Sequence, residues 1–329
     1  MTAYSYHSAF KANIEGVIRS KQALGFSYDT EALILYKFDQ FCTTYGHIGM
    51  GLDKTLVEAW NEKRSQEAPA TWKGRISAVR QLALYMARID LPAYVTPTHL
   101  YPDGPRYVPY IFSNTELSAI FRQIDNCTYC SAVPYREWVM PLLFRLLYGC
   151  GLRLSEALCL CLADIDLETG VLTIRDAKFH KDRLIPITED LLQRSRDYAK
   201  LAHRNSNPDA MFFIGRPGHP LTGGNVYKNF RRFLWQAGIS HGGWGKGPRV
   251  HDFRHTFSVH CLRKWVREGK DLGAYLPILK TYLGHYRFSD TAYYLRLTAE
   301  LYPDITAQME QAFGHILPEV GGDPDDETD

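Results

Sequence analysis

The chain has 329 residues, 45% hydrophobic and 22% charged, too long for one ordinary core at about 100–200 residues per domain and too apolar for a disordered segment. No run approaches the roughly 18 apolar residues of a membrane span, and the start, MTAYSYHSAFKANIEG, carries no secretory signal pattern, so a cytoplasmic protein without a membrane partner is expected. The net charge of +2 hides an uneven distribution: residues 106–318 hold 27 Lys/Arg against 20 Asp/Glu, while residues 319–329 hold 6 acids and no base. A basic body of this kind is a footprint for a phosphate-rich partner.

Residues 1–92 read as a small helical domain. Phe10, Ile14, Val17 and Ile18 share one helical face, and Leu33, Phe38, Phe41 and Tyr45 form a second run that stops at Gly46, a residue suited to a C-cap. Asp53 is an N-cap candidate for a third run with Leu56, Val57 and Trp60, and a fourth carries Ile76, Val79, Leu82 and Met86. Five prolines and a glycine then crowd residues 91–110, which no helix interior tolerates, so a linker is placed at 93–110.

A second domain, 111–318, opens on FSNTELSAIF, where Ser113 and Glu116 have capping-box spacing. REWVMPLLFRLLYGCGLRLSEALCL reads as helix, glycine turn, helix; after it, Val171 and Thr173, then Leu184 and Pro186, with Gly170 in a turn, predict short strands in a hairpin or meander. From Val226 onward the pattern is helical again, through VYKNFRRFLWQAG, HDFRHTFSVHCLRKWVREG, LPILKTYLG, DTAYYLRLTAE and DITAQMEQAFGHIL. An acidic tail is expected at 319–329. The seven cysteines form an irregular set read as reduced thiols, and the single Cys127-x-x-Cys130 spacing as incidental.

Some charged residues stand where a packed helix would not want them. Arg153 follows YGCGL, so a flexible turn delivers a guanidinium at a helix start near Ser155; a surface pairing with Glu156 or Asp164 is the bland alternative. His251, Arg254 and His255 lie at i, i+3 and i+4 and share a face, where an anion would relieve their mutual repulsion. Chelation of a metal by His251 and His255 competes with this, as do core histidines at 255 and 260, but Arg254 would repel a divalent cation. Lys178, Lys181 and Arg183 sit on the expected hairpin, either as solvated edge protection or as groove contacts. Arg216, Lys228, Arg231, Arg232, Lys246, Arg249 and Arg254, interleaved with Phe230, Phe233, Trp235 and Trp244 against the single acid Asp252, read as a DNA-facing surface. Two arginines can neutralise a phosphodiester's non-bridging oxygens, and a tyrosine can attack its phosphorus without a metal.

On these residues the sequence resembles the tyrosine recombinase family, of the phage-integrase and Xer type. GCGLRLSEAL resembles its first box, HDFRHTF its His-x-x-Arg box, and YLGHYRFSDTAYYL its Leu-Gly-His followed by the tyrosine. The resemblance implies a mostly α fold with a small β-sheet or hairpin, in two domains: a helical core-binding domain that clamps DNA, and a mixed α/β catalytic domain. It implies that Arg153 and Arg254 clamp the scissile phosphate, that His251 and His285 assist, and that Lys178 protonates the leaving 5′-hydroxyl, with Lys181 an alternative because the glycine usual beside that lysine is missing. Nine residues after the Leu-Gly-His histidine stands Tyr294, implied as nucleophile, with Tyr293 packing beside it. Further implications are double-stranded DNA as partner, no cofactor, a Holliday junction, a working tetramer, and room for an accessory or directionality protein. The segment between Arg254 and His285 is longer than in the Xer type and resembles recombinases of transposons and insertion elements. A stripe of Ile305, Met309, Phe313 and Ile316 is suited to docking on a neighbouring protomer. The competing readings are a type IB topoisomerase and an inactive DNA-binding module.

Overall fold

A computed structural model of the protein describes residues 4–98, 107–175, 182–243 and 247–301, with side chains to Thr298. These fall into two compact units that part between Val108 and Pro109. The expected helix at 305–316 and the acidic tail lie outside the described residues.

In the first unit, helices α1 (Lys11–Ala23), α2 (Asp29–Tyr45), α3 (Lys54–Asn61) and α4 (Pro69–Arg88) pack around Phe10, Leu35, Phe38, Trp60, Leu82 and Met86. Local chemistry sets their ends. The Asp53 carboxylate accepts from the Leu56 N–H at 2.8 Å, and Pro69 opens α4, where a missing N–H costs nothing. Gly46 closes α2 in the left-handed region at φ 75°. The buried face of α2 differs from the expected one: Leu35, Phe38 and Cys42 are inside, while Leu33 and Tyr45 are exposed. Leu33 and Phe38 are five residues apart and point about 140° away from each other, so both cannot face one core. Residues at the start of the expected linker also belong to this unit, since Ala93 bridges to Leu52 and Thr96 accepts from Asn61 Nδ2 at 3.2 Å.

The second unit begins with α5 (Asn114–Asp125), whose Ser113–Glu116 capping box is present, and α6 (Arg136–Gly149). A glycine turn leads to the short α7 (Leu154–Leu158), then to an antiparallel meander of β1 (Ile165–Asp166), β2 (Val171–Ile174) and β3 (Arg183–Pro186). Leu172 pairs with Ile185 and Ile174 with Arg183. The face turned to the core carries Leu172, Ile174 and Ile185, while Leu184 is exposed, so the alternation falls one residue away from the expected Val171, Thr173 and Leu184 set. There follow α8 (Glu189–Ala202), which the sequence reading did not anticipate, then α9 (Gly223–Gln236), α10 (Asp252–Arg267), α11 (Leu272–Leu283) and α12 (Phe288–Leu301).

Helix α10 is the centre of this unit. On one side Phe253 packs edge-on against Phe144 of α6, ring centres 5.5 Å apart, and stacks on Phe112 at 5.1 Å. Thr256 Oγ1 accepts from the Phe112 N–H at 3.1 Å, fixing the entry of the chain against the same helix. On the other side α10 packs with α11 and α12 around Val259, Leu262, Leu276, Leu283 and Leu295. The outcome is that Arg254 and His255 are held between two cores, Arg254 reaching the end of α11 and His255 reaching Tyr294 in α12.

Candidate active site

The site is organised by two glycine turns. Gly151 follows α6 at φ 59°, and a Cβ there would lie 2.6 Å from the Phe257 ring, so a side chain is excluded by both backbone and space. Gly284 ends α11 in the left-handed region at φ 68°. The last carbonyls of a helix have no intrahelical partner and form the negative end of its dipole. In α11 three consecutive ones meet three arginines from distant parts of the chain. Tyr282 O accepts from Arg183 Nε at 2.9 Å, Leu283 O from Arg254 Nη2 at 2.5 Å, and Gly284 O from Arg153 Nη2 at 3.1 Å. Arg254 also donates to Gly151 O at 2.7 Å, so the two turns are tied through one guanidinium.

Glu156, on α7, is the anion among these cations. Its carboxylate accepts from the Arg153 N–H at 2.8 Å and Arg153 Nη1 at 2.6 Å, and from Arg183 Nη1 and Nη2 at 3.1 and 2.7 Å. Arg254 Nη1 lies 4.0 Å away. Burial alone would raise the Glu156 pKa, but the hydrogen bonds and charges of Arg183 and Arg153 overcome it and hold the group below the ordinary carboxylate range. Three guanidiniums against one carboxylate leave the cluster positive. Arg254 is 1% exposed, and burial, with repulsion from Arg153, brings its pKa down to about 10; it stays charged at neutral pH and favours an anion.

Around this cluster stand the histidines and the tyrosine. His251 caps the start of α10, and its ring meets that of His255 edge-on with centres 4.7 Å apart. Burial of the ring first, then Arg254 and Arg153, lowers the His251 pKa to about 4, although the residue as a whole is exposed. His285, just after Gly284, pairs through Nδ1 with the buried Thr291 hydroxyl at 2.8 Å and stacks on the Tyr294 ring at 5.9 Å and 22°. Its pKa falls to about 3, by burial and then Arg254 and Arg153. The histidines are therefore neutral at physiological pH. Tyr294 is 3% exposed, and its hydroxyl is 2.8 Å from His255 Nδ1. Burial raises its pKa, while Arg254, the Ser258 hydroxyl and Arg153 act in the opposite direction. Tyr293 is half-buried and packs on the core of α10, α11 and α12.

Arg153, His251, Arg254, His285 and Tyr294 thus converge; Lys178 and Lys181 lie outside the described residues. Arg183 corrects the sequence reading. Its side chain is 8% exposed and bonded to Glu156 and Tyr282, so it faces inward and not toward a nucleic-acid groove. The proposed basic surface is also thinner than expected. Lys228 and Arg249 are exposed, and Arg231 is half-buried, donating to Tyr227 Oη at 3.0 Å. Arg232 turns back over the Phe233 ring and donates to Asn229 Oδ1 at 3.0 Å. Phe230 and Phe233 are core residues, because a helix with this apolar stripe must bury it, while Tyr227 and Trp235 are the exposed aromatics of α9. Lys246 and Trp244 lie outside the described residues. Arg153 pairs with Glu156, the partner named as the alternative, and still reaches the end of α11. His255 is the functional candidate that sequence reasoning left out of the site; its signal was the shared face with His251 and Arg254.

Fold and site together define a phosphodiester-processing enzyme of the tyrosine type. Residues 112–300 match the family described as Phage integrase family. The chain is 33% identical over 314 residues to the integrase/recombinase y4rB of Sinorhizobium fredii (strain NBRC 101917 / NGR234), covering 92% of this chain and 98% of that protein. It is 27% identical over 243 residues to the tyrosine recombinase XerC of Chlamydia caviae, covering 72% and 71%. The same fold occurs in XerH site-specific recombinase bound to palindromic difH substrate, with a TM-score of 0.61 and 21% identity over 86% of this chain and 79% of that one. It recurs in the Tn1549 transposon integrase in complex with transposon right end DNA, with a TM-score of 0.60 and 15% identity over 90% and 99%. The chain belongs to the phage integrase family, and its enzymatic class is that of the site-specific tyrosine recombinases.

Proposed function

We propose that this recombinase binds double-stranded DNA at paired sites in the bacterial cytoplasm and exchanges strands through a 3′-phosphotyrosyl bond at Tyr294. The observation that carries the assignment of residues is the run of α11 carbonyls, which sets Arg254 and Arg153 beside His285, itself stacked on Tyr294. Arg153 and Arg254 neutralise the non-bridging oxygens of the scissile phosphate, where preorganised charge in a dry site is most effective. His251 and His285, neutral, donate hydrogen bonds to it. The Tyr294 oxygen bonds to phosphorus as the bond to the 5′-oxygen breaks, and Lys178, or Lys181 in its place, protonates the leaving oxygen. Because the phosphodiester's energy is kept in the covalent link, a 5′-hydroxyl from the partner duplex can reverse the step without ATP. Two such exchanges, passing through a Holliday junction in a tetramer, complete recombination.

The first unit acts as the DNA clamp, and the long segment between Arg254 and His285 supports service to a mobile element. The test is a nicked suicide duplex cut from the ends of the element that encodes the chain, followed by denaturing electrophoresis. The wild type forms a covalent adduct and Tyr294→Phe does not; an adduct that survives Tyr294→Phe moves the nucleophile elsewhere.

A further inference from the structure

His255 has no role in the assignments above, yet its imidazole is the group that the Tyr294 hydroxyl meets, at 2.8 Å from Nδ1 with the rings 5.6 Å apart and tilted by 52°. The contact joins two helices of different origin in the chain, 39 residues apart. The His255 ring is fixed from behind by His251, edge-on. From the other side of the phenol, His285 stacks on the ring and is itself anchored to Thr291. Tyr294 is thus held in its plane by one imidazole and at its oxygen by another.

A histidine–tyrosine contact is not by itself a catalytic pair. The same helix carries His260, whose Nδ1 lies 3.0 Å from the Tyr148 hydroxyl, and His203 is satisfied by Ser206 and the Phe212 carbonyl. What separates His255 from these is its surroundings. It follows Arg254 directly in the chain, and its partner's oxygen feels the charges of Arg254 and Arg153. An anion bound there brings its phosphorus to the atom that His255 already holds.

We propose that His255 is the general base for Tyr294: as the Nε2–H tautomer, its Nδ1 accepts the phenolic proton while Oη bonds to phosphorus. This rests on the phosphotyrosyl reading above. The step balances. Oη–P forms, the bond from phosphorus to the 5′-oxygen breaks, the phenolic proton moves to Nδ1, and the leaving oxygen takes a proton from the hairpin lysine. Resealing runs the same path backward, the imidazolium returning its proton to Oη as the 5′-hydroxyl attacks. Burial, His251 and Arg254 keep His255 neutral, its pKa near 3, so Nδ1 is available as an acceptor. Transfer is then concerted with attack: phenol acidity rises as charge passes to phosphorus, and the bound phosphodiester offsets the cationic neighbours that disfavour an imidazolium.

The experiment uses the full chain on the nicked suicide duplex, with single-turnover adduct formation measured beside DNA affinity. His255→Asn is the principal variant, because its Oδ1 can replace Nδ1 as a hydrogen-bond acceptor but cannot take the proton. His255→Ala opens a site for added imidazole, and His260→Gln is the control for the other histidine–tyrosine pair. We expect His255→Asn and His255→Ala to slow adduct formation by about 10²–10⁴-fold at unchanged DNA affinity. Added imidazoles should restore His255→Ala in proportion to their basicity, and His260→Gln should match the wild type. Nitrogen NMR of the DNA-free protein should show His255 as the Nε2–H tautomer, with its Nδ1 shift altered in Tyr294→Phe. A His255→Asn rate within threefold of a competent wild type, or an Nδ1–H tautomer, overturns the base assignment alone. A wild type that forms no adduct overturns the phosphotyrosyl reading and this inference with it.

Discussion

Replacing Glu156 by Gln leaves the shape of the site and removes the one carboxylate around which Arg153 and Arg183 are folded. The Glu156 side chain is 6% exposed and that of its partner Arg183 8%, and four hydrogen bonds from Arg153 and Arg183 end on the carboxylate. Breaking a buried pair on one side leaves the other charge without compensation and costs about 3–5 kcal/mol. For a unit of this size that is a fall of roughly 6 °C or more in its unfolding midpoint. The sign of the pH dependence follows from the lowered Glu156 pKa: the stabilisation is complete above the unfolded value of about 4.3 and is lost as pH falls through the folded value. Chemical unfolding of wild type and Glu156→Gln at pH 7 and at progressively lower pH, followed by a probe in the second unit, should show a gap that closes in acid. A gap under about 1 kcal/mol at pH 7, or one that persists unchanged in acid, refutes the idea that this carboxylate organises the arginines.

Arg183→Lys retains charge but not the fork that reaches Glu156 and Tyr282 together, so it should lower the unfolding midpoint and slow adduct formation while leaving the salt dependence of DNA binding unchanged; a salt slope reduced by about 1 would place Arg183 on a phosphate. Tyr293→Phe should form adduct at a wild-type rate, and a gel showing its loss would reverse the choice of nucleophile. Gly151→Ala forces a left-handed alanine against Phe257 and displaces the carbonyl that Arg254 uses, for a cost of about 1–3 kcal/mol in urea unfolding. The pKa values near 4, 3 and 3 for His251, His255 and His285 predict no histidine step in the cleavage rate near pH 6.5, because burial first, then Arg254, joined by Arg153 at His251 and His285 and by His251 at His255, keeps all three neutral. Since unfolding restores ordinary histidine pKa values, stability should decline as pH drops below about 6.5 and level off once the folded values are passed; a rate profile with an inflection at 6.5 counts against the buried arrangement.

What could be read in the chain and what could not divides along physical lines. Helical period fixes direction, so Phe10, Ile14 and Val17, or Ile76, Val79, Leu82 and Met86, declare their buried side by spacing alone. Capping chemistry is equally local, which is why Asp53, Gly46 and the Ser113–Glu116 box stand out. Position within a site is another matter when the partner is remote. Nothing near Arg183 in sequence shows that its guanidinium turns inward, because the acceptors, Glu156 and Tyr282, lie on two other elements. His255 is ambiguous for the same reason: its spacing from His251 is visible, but the hydroxyl that gives it meaning is on α12. The basic run between residues 216 and 254 misleads in the opposite way, since counting charges does not reveal that Phe230 and Phe233 are buried and that Arg232 folds back on them.

The end of α11 works as a single latch. Three neighbouring peptide carbonyls each hold a different guanidinium, and the next residue along is the histidine that stacks on the tyrosine. A shift of that one helical turn by an ångström or two would lengthen all three bonds together and move the imidazole in the same stroke. Cleavage competence should therefore be all-or-none, with no intermediate state in which the phosphate is gripped but the tyrosine is out of line. A single turn of helix thus sets the guanidinium cluster and the stacking partner of the tyrosine together.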